Sequence, residues 1–296
     1  MSALTTIIDR DASAVSHVGE QLQAQSEALR QRMAHVRHKL LVMSGKGGVG
    51  KSMSSVHIAL GLARTGAAVG IVDADLNGPC IPSLLGIPER GSQLPLIGPL
   101  GIKVASLGGF VRRGMPIRWK GSAELSPIWL GMVEKNVLRE FFADTEWGEL
   151  DYLVVDLPPG AAADKPPVMV SLIPDLTGAI VVTTPSVVAC EVVKKSIKYA
   201  RGLGIPILGV IETMGGMHCP HCARRHPLFA GDTRALCREL GLERLGSVPF
   251  DPMLSASFDR GEPMLDVRGP AAEIYEEVVH EVMRRVDYAR LVVQHL

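Results

Sequence analysis

The chain has 296 residues, enough for one large or two modest domains with a sizeable core. Apolar residues make up 47% and charged residues 21%, a balance typical of soluble globular proteins. The formal net charge is zero, so no overall field attracts nucleic acid or an acidic membrane, and we expect neither as a partner.

The N-terminal residues and the cysteines predict a cytoplasmic protein. Residues 1–21 lack the basic start and long apolar block of a secretory signal. No uninterrupted apolar stretch reaches membrane-spanning length. The cysteines number five, an odd count with one closely spaced pair, which fits a reducing compartment better than a disulfide framework.

The first part of the chain predicts a polar helix. Residues 10–37 are rich in Gln, Glu, Arg and Ala and contain no proline. We therefore expect a helical N-terminal extension over residues 1–38, ahead of a single domain over residues 39–296. This composition favours a solvated helix or a helix in a subunit contact.

The remaining chain alternates between two kinds of segment. Apolar, β-type runs predict strands at 39–43, 67–73, 102–107, 151–156, 177–184, 205–212 and 242–249. Helix-like segments separate most of them, for example 54–65, 135–145 and 191–204. Runs that are apolar throughout indicate strands buried on both faces. The pattern predicts an α/β fold with a mostly parallel sheet flanked by helices.

A glycine-rich loop follows the first predicted strand. Its sequence from Gly45 to Ser52, GKGGVGKS, matches G-x-x-x-x-G-K-S between a strand and a helix. Glycines allow successive N–H groups to face phosphate oxygens, and the helix N-terminus adds partial positive charge. The motif predicts Lys51 at the β and γ phosphates and Ser52 at Mg²⁺, against the alternative of a turn without ligand. The predicted nucleotide-binding residues are Gly45, Lys46, Gly47, Gly48, Val49, Gly50, Lys51, Ser52 and Met53.

Aspartates end two further predicted strands. Carboxylates at the carboxyl end of a strand, beside a phosphate loop, lie where ligands bind in open α/β sheets. In DADLNGP, Asp73 can hold the water shell of Mg²⁺ and Asp75 can orient an attacking water, unless either forms an Asx turn. Asp156 ends the strand that continues into DLPPG, where a simple strand-end turn is the alternative.

A cysteine pair follows the predicted strand at 205–212. The segment GMHCPHCARRHPLF holds Cys219 and Cys222 in C-x-x-C spacing among three histidines. Two thiolates are half of a tetrahedral four-cysteine set, and a two-fold dimer axis through the site would supply the second pair. The alternatives are zinc bound with the nearby histidines, a thioredoxin-like dithiol, or an inert knuckle.

The phosphate loop resembles the deviant Walker A loop of the MinD, ParA and nitrogenase iron-protein superfamily, which has an early lysine where this chain has Lys46. In that superfamily the lysine reaches the partner's phosphates across a nucleotide-sandwich dimer and stabilises transition-state charge. The resemblance implies a homodimer with Lys46, Lys51 and Asp75 as catalytic residues, Asp75 orienting the water. It also implies that Asp156 binds a water on Mg²⁺, as at the Walker B position, and that Gly160 belongs to a γ-phosphate switch.

Most of the chain resembles one family of this superfamily, the Mrp/ApbC iron–sulfur cluster carrier ATPases. The likeness runs from about residue 39 to 265 and rests on SGKGGVGKS, VDADLNGPCIPSLLGI, PIRWKG, WGELDYLVVDLPPG, VVTTPSVVA, IPILGVIETM followed by CPHC, and LGSVPFDPML. The resemblance implies an ATPase in which Cys219 and Cys222 of two subunits hold a 4Fe–4S cluster and pass it to apo-proteins. Exposed ligation by two subunits suits a cluster that must leave.

The chain departs from this family at positions that bear on the nucleotide. Ala161–Ala163 follow DLPPG, where a threonine, a glycine and an aspartate are usual, so an altered hydrolysis rate is expected. Thr213 replaces an asparagine associated with adenine, which bears on base preference. Two other functions remain open: a MinD- or ParA-like nucleotide switch without a cluster, and a dimeric ATPase bridged by structural zinc.

Overall fold

The computed structural model describes residues 26–88, 93–110, 127–160, 165–218, 222, 224–262 and 269–294. Helix α1 covers residues 26–34. The later helices are α2 (Lys51–Arg64), α3 (Ile81–Leu84), α4 (Pro127–Ala143), α5 (Lys165–Leu172), α6 (Val187–Gly202), α7 (Thr233–Leu240), α8 (Pro252–Asp259) and α9 (Pro270–Gln294). In these ranges no helix is both long and apolar enough to span a membrane.

The strands form one mostly parallel sheet. They are β1 (Val36–Ser44), β2 (Val69–Asp73), β3 (Leu96–Ile97), β4 (Lys103–Ala105), β5 (Leu150–Asp156), β6 (Gly178–Thr183), β7 (Ile207–His218), β8 (Arg225–His226) and β9 (Arg244–Phe250). The order is β3-β4-β2-β5-β1-β6-β7-β8, with β9 also paired to β7. Only the short strands β3 and β8 pair antiparallel among the described strands. Each predicted apolar run overlaps a strand, so the predicted α/β fold is confirmed.

The central strand β1 has a hydrophobic core on each side. Its Leu41 belongs to a cluster that includes Phe142 of α4, whereas Leu40 belongs to a second cluster with Ile58 of α2 and Val278 of α9. Adjacent residues of a strand face opposite sides of the sheet, so the two clusters lie on opposite faces. Burial of both faces accounts for the continuous apolar runs in the sequence.

The first strand begins before residue 38, the expected end of the N-terminal extension. Strand β1 begins at Val36, so that boundary falls inside a strand of the sheet. Helix α1 packs on the domain through Leu29 and Met33, which are 5% and 0% exposed and belong to the cluster containing Trp147. Leu29 and Met33 therefore pack in the same core as the rest of the described chain. The rest of the expected extension, residues 1–25, lies outside the described residues.

The sheet brings three polar strand ends to one edge. Ser44, Asp73 and Asp156 are the last residues of β1, β2 and β5, which are neighbours in the sheet. Asp73 and Asp156 are direct register partners. The loops that follow parallel strands at such an edge form the ligand-binding crevice of open α/β sheets.

Candidate nucleotide site and thiol hairpin

The phosphate loop joins β1 to α2 and depends on its glycines. Gly48 and Gly50 have φ angles of 74° and 76°, in the left-handed region that glycine adopts without strain. A Cβ on Gly45 would lie 2.9 Å from both the backbone nitrogen and a methyl group of Val193 in α6. The loop therefore curls tightly before the N-terminus of α2, which begins at Lys51.

Asp156 is the centre of a buried cluster at the start of α2. Its Oδ1 lies 2.7 Å from Lys51 Nζ, and the side chains of Lys51 and Asp156 are 6% and 0% exposed. The Ser52 hydroxyl donates to Oδ2 at 2.6 Å, and the Ser55 hydroxyl donates to Oδ1 at 2.6 Å. Three of these residues were predicted site residues and are brought together. Ser55 was not predicted, although its place four residues after Lys51 puts it on the same helix face.

Asp73, on the neighbouring strand, accepts hydrogen bonds from the protein through its carboxylate. Its Oδ2 accepts hydrogen bonds from the N–H groups of Cys80 and Ile81 and from the Ser106 hydroxyl, at 3.0 to 3.1 Å. Burial, followed by the negative charge of Asp156, raises the pKa of Asp73 to about 7. The contacts give Asp73 a structural task, which is to fix the loop that leads into α3. A role in the water shell of Mg²⁺ stays a prediction.

Asp75 begins the same loop and is partly exposed. Its N–H donates to Asp73 Oδ1 at 3.3 Å, and its own Oδ1 accepts from the N–H of Gly78 at 3.1 Å. This is the Asx-type turn that the sequence left open for this residue. One carboxylate oxygen makes that turn, and the side chain still lines the cavity described next.

A cavity of about 280 Å³ lies above the loop. It brings together predicted residues from separate parts of the sequence: the phosphate loop, the loop that starts with Asp75, and the turn after Asp156. Lys46 is exposed at the cavity. The described lining consists of Ser44, Lys46, Gly47, Gly48, Gly50, Lys51, Ser52, Met53, Asp75, Cys80, Leu84 and Pro159. The switch residues Ala161–Ala163 lie outside the described residues.

Thr213 of β7 contacts the phosphate loop through its side chain. It is 5% exposed, and its hydroxyl lies 2.6 Å from the carbonyl oxygen of Val49, to which it donates. Its Cγ2 would be 3.6 Å from a Cβ on Gly50. The residue that departs from the family pattern is thus a buried anchor of the phosphate loop. The sequence could not indicate this contact, because it joins residues 164 positions apart.

The second predicted site is a hairpin formed by the end of β7 and β8. Met217 pairs with His226, and His218 pairs with Arg225. Cys222 is exposed between the strands, with its Sγ 3.8 Å from Nε2 of His226. Cys219 lies outside the described residues. Among the residues described, no group of three or more His, Cys, Asp or Glu side chains could hold a metal ion.

Comparison with known proteins identifies the family. A family model described as ParA, NUBPL iron-transfer P-loop NTPase, matches residues 35–283. The chain belongs to this family. A Methanocaldococcus jannaschii protein named iron-sulfur cluster carrier protein is 39% identical to this NUBPL-type NTPase over 272 residues, covering 90% of this chain and 92% of that protein. The resemblance to cluster carrier ATPases is confirmed at the level of the family.

Solved structures agree with the fold of this NUBPL-type NTPase. A nucleotide-binding protein of Archaeoglobus fulgidus, solved in complex with ADP, is 30% identical with a TM-score of 0.68. That match covers 83% of this chain and 98% of the other. The cell division ATPase MinD of Pyrococcus furiosus has a TM-score of 0.58 at 19% identity, covering 83% of this chain and 98% of that chain, and this likeness shows the fold alone.

Proposed function

We propose that this protein is an ATP-dependent carrier that binds a 4Fe–4S cluster between two subunits and transfers it to apo-proteins. The observation that carries the proposal is an exposed Cys222, in a hairpin built on the same sheet as the buried Lys51–Asp156 cluster. The 39% identity to a protein named iron-sulfur cluster carrier protein supports it. A cytoplasmic location is part of the proposal, since the described cysteines are free thiols.

The residues at the phosphate loop fit ATP and Mg²⁺. The donor set of Ser52 hydroxyl and Asp156 carboxylate is composed of the oxygen ligands that Mg²⁺ prefers. When bound, Mg²⁺ supplies charge neutralisation for the phosphates. Lys51 contacts Asp156 in this structure and, in our proposal, exchanges that partner for phosphate oxygens. Because separating a buried ion pair leaves two uncompensated charges, the exchange requires that Mg²⁺ replace Lys51 beside Asp156 when the phosphates bind the lysine.

Hydrolysis in this proposal needs a second subunit. Lys46 is exposed beside the cavity, where it is free to reach the nucleotide of a partner. Its charge would stabilise the transition state, and Asp75 would orient the attacking water. We therefore propose a homodimer that forms with ATP and hydrolyses it slowly.

The cluster is cargo in this proposal. Cys219 and Cys222 of each subunit provide the four thiolates of a 4Fe–4S site. An exposed thiol in the hairpin allows an apo-protein to approach the cluster directly. Closed, buried ligation would retain it.

The test is the iron and sulfide content after anaerobic reconstitution. We expect about four irons per dimer and a brown product in the natural chain. The combined variant Cys219→Ala with Cys222→Ala should lose both, whereas Cys237→Ala, which removes a buried thiol elsewhere, should keep them. Iron that survives the double substitution would refute the proposal. Bound zinc without a visible absorption band would support a zinc-bridged dimer, and a metal-free ATPase would support a nucleotide switch.

A further inference from the structure

Arg225 joins the base of the thiol hairpin to two other strands. It is the first residue of β8, and its backbone pairs with that of His218. Its Nη2 donates to the carbonyl oxygen of Gly215 in β7 at 2.9 Å and to the hydroxyl of Ser247 in β9 at 2.8 Å. One guanidinium therefore connects β7, β8 and β9 at the point where the hairpin leaves the sheet.

The backbone of β7 is shaped around this guanidinium. Regular pairing with β9 is interrupted between Thr213 and Met217. Within this interruption Met214 has a φ of 52° and Gly216 a φ of 151°, both uncommon for a strand. A Cβ on Gly216 would lie 2.8 Å from Nε of Arg225. Side-chain atoms at Gly216 would therefore occupy the space of the guanidinium. We call this space, bounded by Gly215, Gly216 and Ser247, the socket of Arg225.

A buried carboxylate holds the other side of the socket. Glu212 is 6% exposed and accepts hydrogen bonds from the hydroxyls of Ser247 and Thr233. Arg244 Nη1 lies 3.3 Å from its Oε1. Ser247 therefore accepts from Arg225 and donates to Glu212. Hydrogen bonds that involve charged groups are stronger than neutral ones. The series from Arg225 through Ser247 to Glu212 therefore holds the hairpin to the sheet.

We propose that Arg225 is a positioning residue for the cluster-binding thiol of Cys222. The inference rests on the proposed function and goes beyond it. Cys222 lies three residues before Arg225, and its Sγ is 3.8 Å from Nε2 of His226, the residue that follows Arg225 in β8. By fixing β8 to β7 and β9, Arg225 reduces the conformational freedom that the Cys222 thiolate must lose to bind a cluster.

The guanidinium also explains why the residue is arginine. Both hydrogen bonds come from Nη2, whose two N–H groups are fixed in the guanidinium plane, whereas the N–H groups of a lysine ammonium have no fixed plane. Residues that orient metal ligands typically change metal affinity by about 10- to 100-fold when substituted. We expect an effect at the lower end for Arg225, because the cysteines themselves remain.

The test measures how fast the cluster is lost. The full chain is reconstituted anaerobically, and the decay of its visible absorption is followed after a ferrous chelator is added. Arg225→Gln should release iron roughly 10-fold faster than the natural chain, and Arg225→Lys should fall between them. The matched control is Arg224→Gln, which removes the same charge from the adjacent exposed residue and should leave the rate unchanged.

A second variant separates positioning from folding. Ser247→Ala removes the other half of the same hydrogen bond and should also speed release, and the double variant with Arg225→Gln should add little more. Ser247→Ala also removes a donor from the buried Glu212 and should lower the melting temperature, so release rates are compared well below the lowest melting temperature of the set. Equal release rates for Arg225→Gln and Arg224→Gln would overturn the inference, as would full additivity with Ser247→Ala. A natural chain that takes up no iron and sulfide would instead overturn the proposed function, and the inference with it.

Discussion

The packing of His57 predicts a specific dependence of stability on pH. His57 lies in α2 with its ring stacked on Tyr275 of α9, at 3.9 Å between centroids and 2° between planes, and edge-on to Phe258 at 5.1 Å. Burial is the main reason why its pKa falls from 6.5 to about 4, and the charge of Arg64 adds to the effect. The folded protein therefore holds this imidazole neutral where the unfolded chain protonates it.

The sign and size of the effect follow from that shift. Between pH 6.5 and 4 the unfolded chain binds a proton that the folded chain does not, so stability is lost as the pH falls. From pH 7 to pH 5 this group alone should lower the free energy of unfolding by about 2 kcal/mol. The pKa of Asp73, raised to about 7, acts in the opposite direction over the same range, so the total change is smaller.

The assay compares the natural chain with His57→Phe, which keeps an aromatic ring against Tyr275. Urea unfolding at pH 7 and pH 5, without nucleotide or metal, gives the free energy of unfolding of each protein. Between pH 7 and pH 5 the free energy of unfolding of the variant should fall by about 2 kcal/mol less than that of the natural chain. Identical pH dependence in the two proteins would refute the reasoning, because all other titrating groups are shared.

Three further predictions concern separate parts of the molecule. Asp156→Asn should slow phosphate release from ATP by more than ~100-fold, because this carboxylate would hold a water of Mg²⁺, whose charge stabilisation is worth several kcal/mol, and ATP binding measured separately would show whether only affinity had changed. Thr213→Val should weaken ADP binding about 10-fold by leaving the Val49 carbonyl without its partner, whereas Thr213→Ser should not; equal titration curves would contradict the anchor role. Leu100→Gly should raise the free energy of unfolding by about 0.5–1 kcal/mol, because Leu100 is 54% exposed at a φ of 56°; a lower urea midpoint would contradict this.

Features governed by local pattern could be predicted from the sequence. Strands such as Leu150–Asp156 are buried on both faces, so their composition alone indicates them. The order of motif residues along the chain then placed Lys51, Ser52 and Asp156 at one edge, because parallel strands share the direction of their carboxyl ends. In the structure Lys51 and Ser52 both contact Asp156.

Features governed by distant contacts could not be predicted. The hydroxyl of Thr213 meets a loop 164 residues away, and the sequence shows only that an unusual residue stands there. In the sequence, Asp73 looks like a metal ligand because it is a carboxylate at the end of a strand. In the structure the following loop folds back, and its N–H groups donate hydrogen bonds to that carboxylate. In α1 the apolar residues Leu29 and Met33 are spaced as one helix face, a signal that the polar composition of the segment obscured.

Strand β7 has a consequence for how this protein can change in length. Its neighbouring residues Glu212 and Thr213 face opposite sides, one towards the socket of Arg225 and the other towards the phosphate loop. Insertion or deletion of one residue earlier in β7 would exchange the two faces and disable both supports together. The stretch from Glu212 to Gly216 is thus fixed in length, because it carries the contacts to the phosphate loop and to Arg225 together.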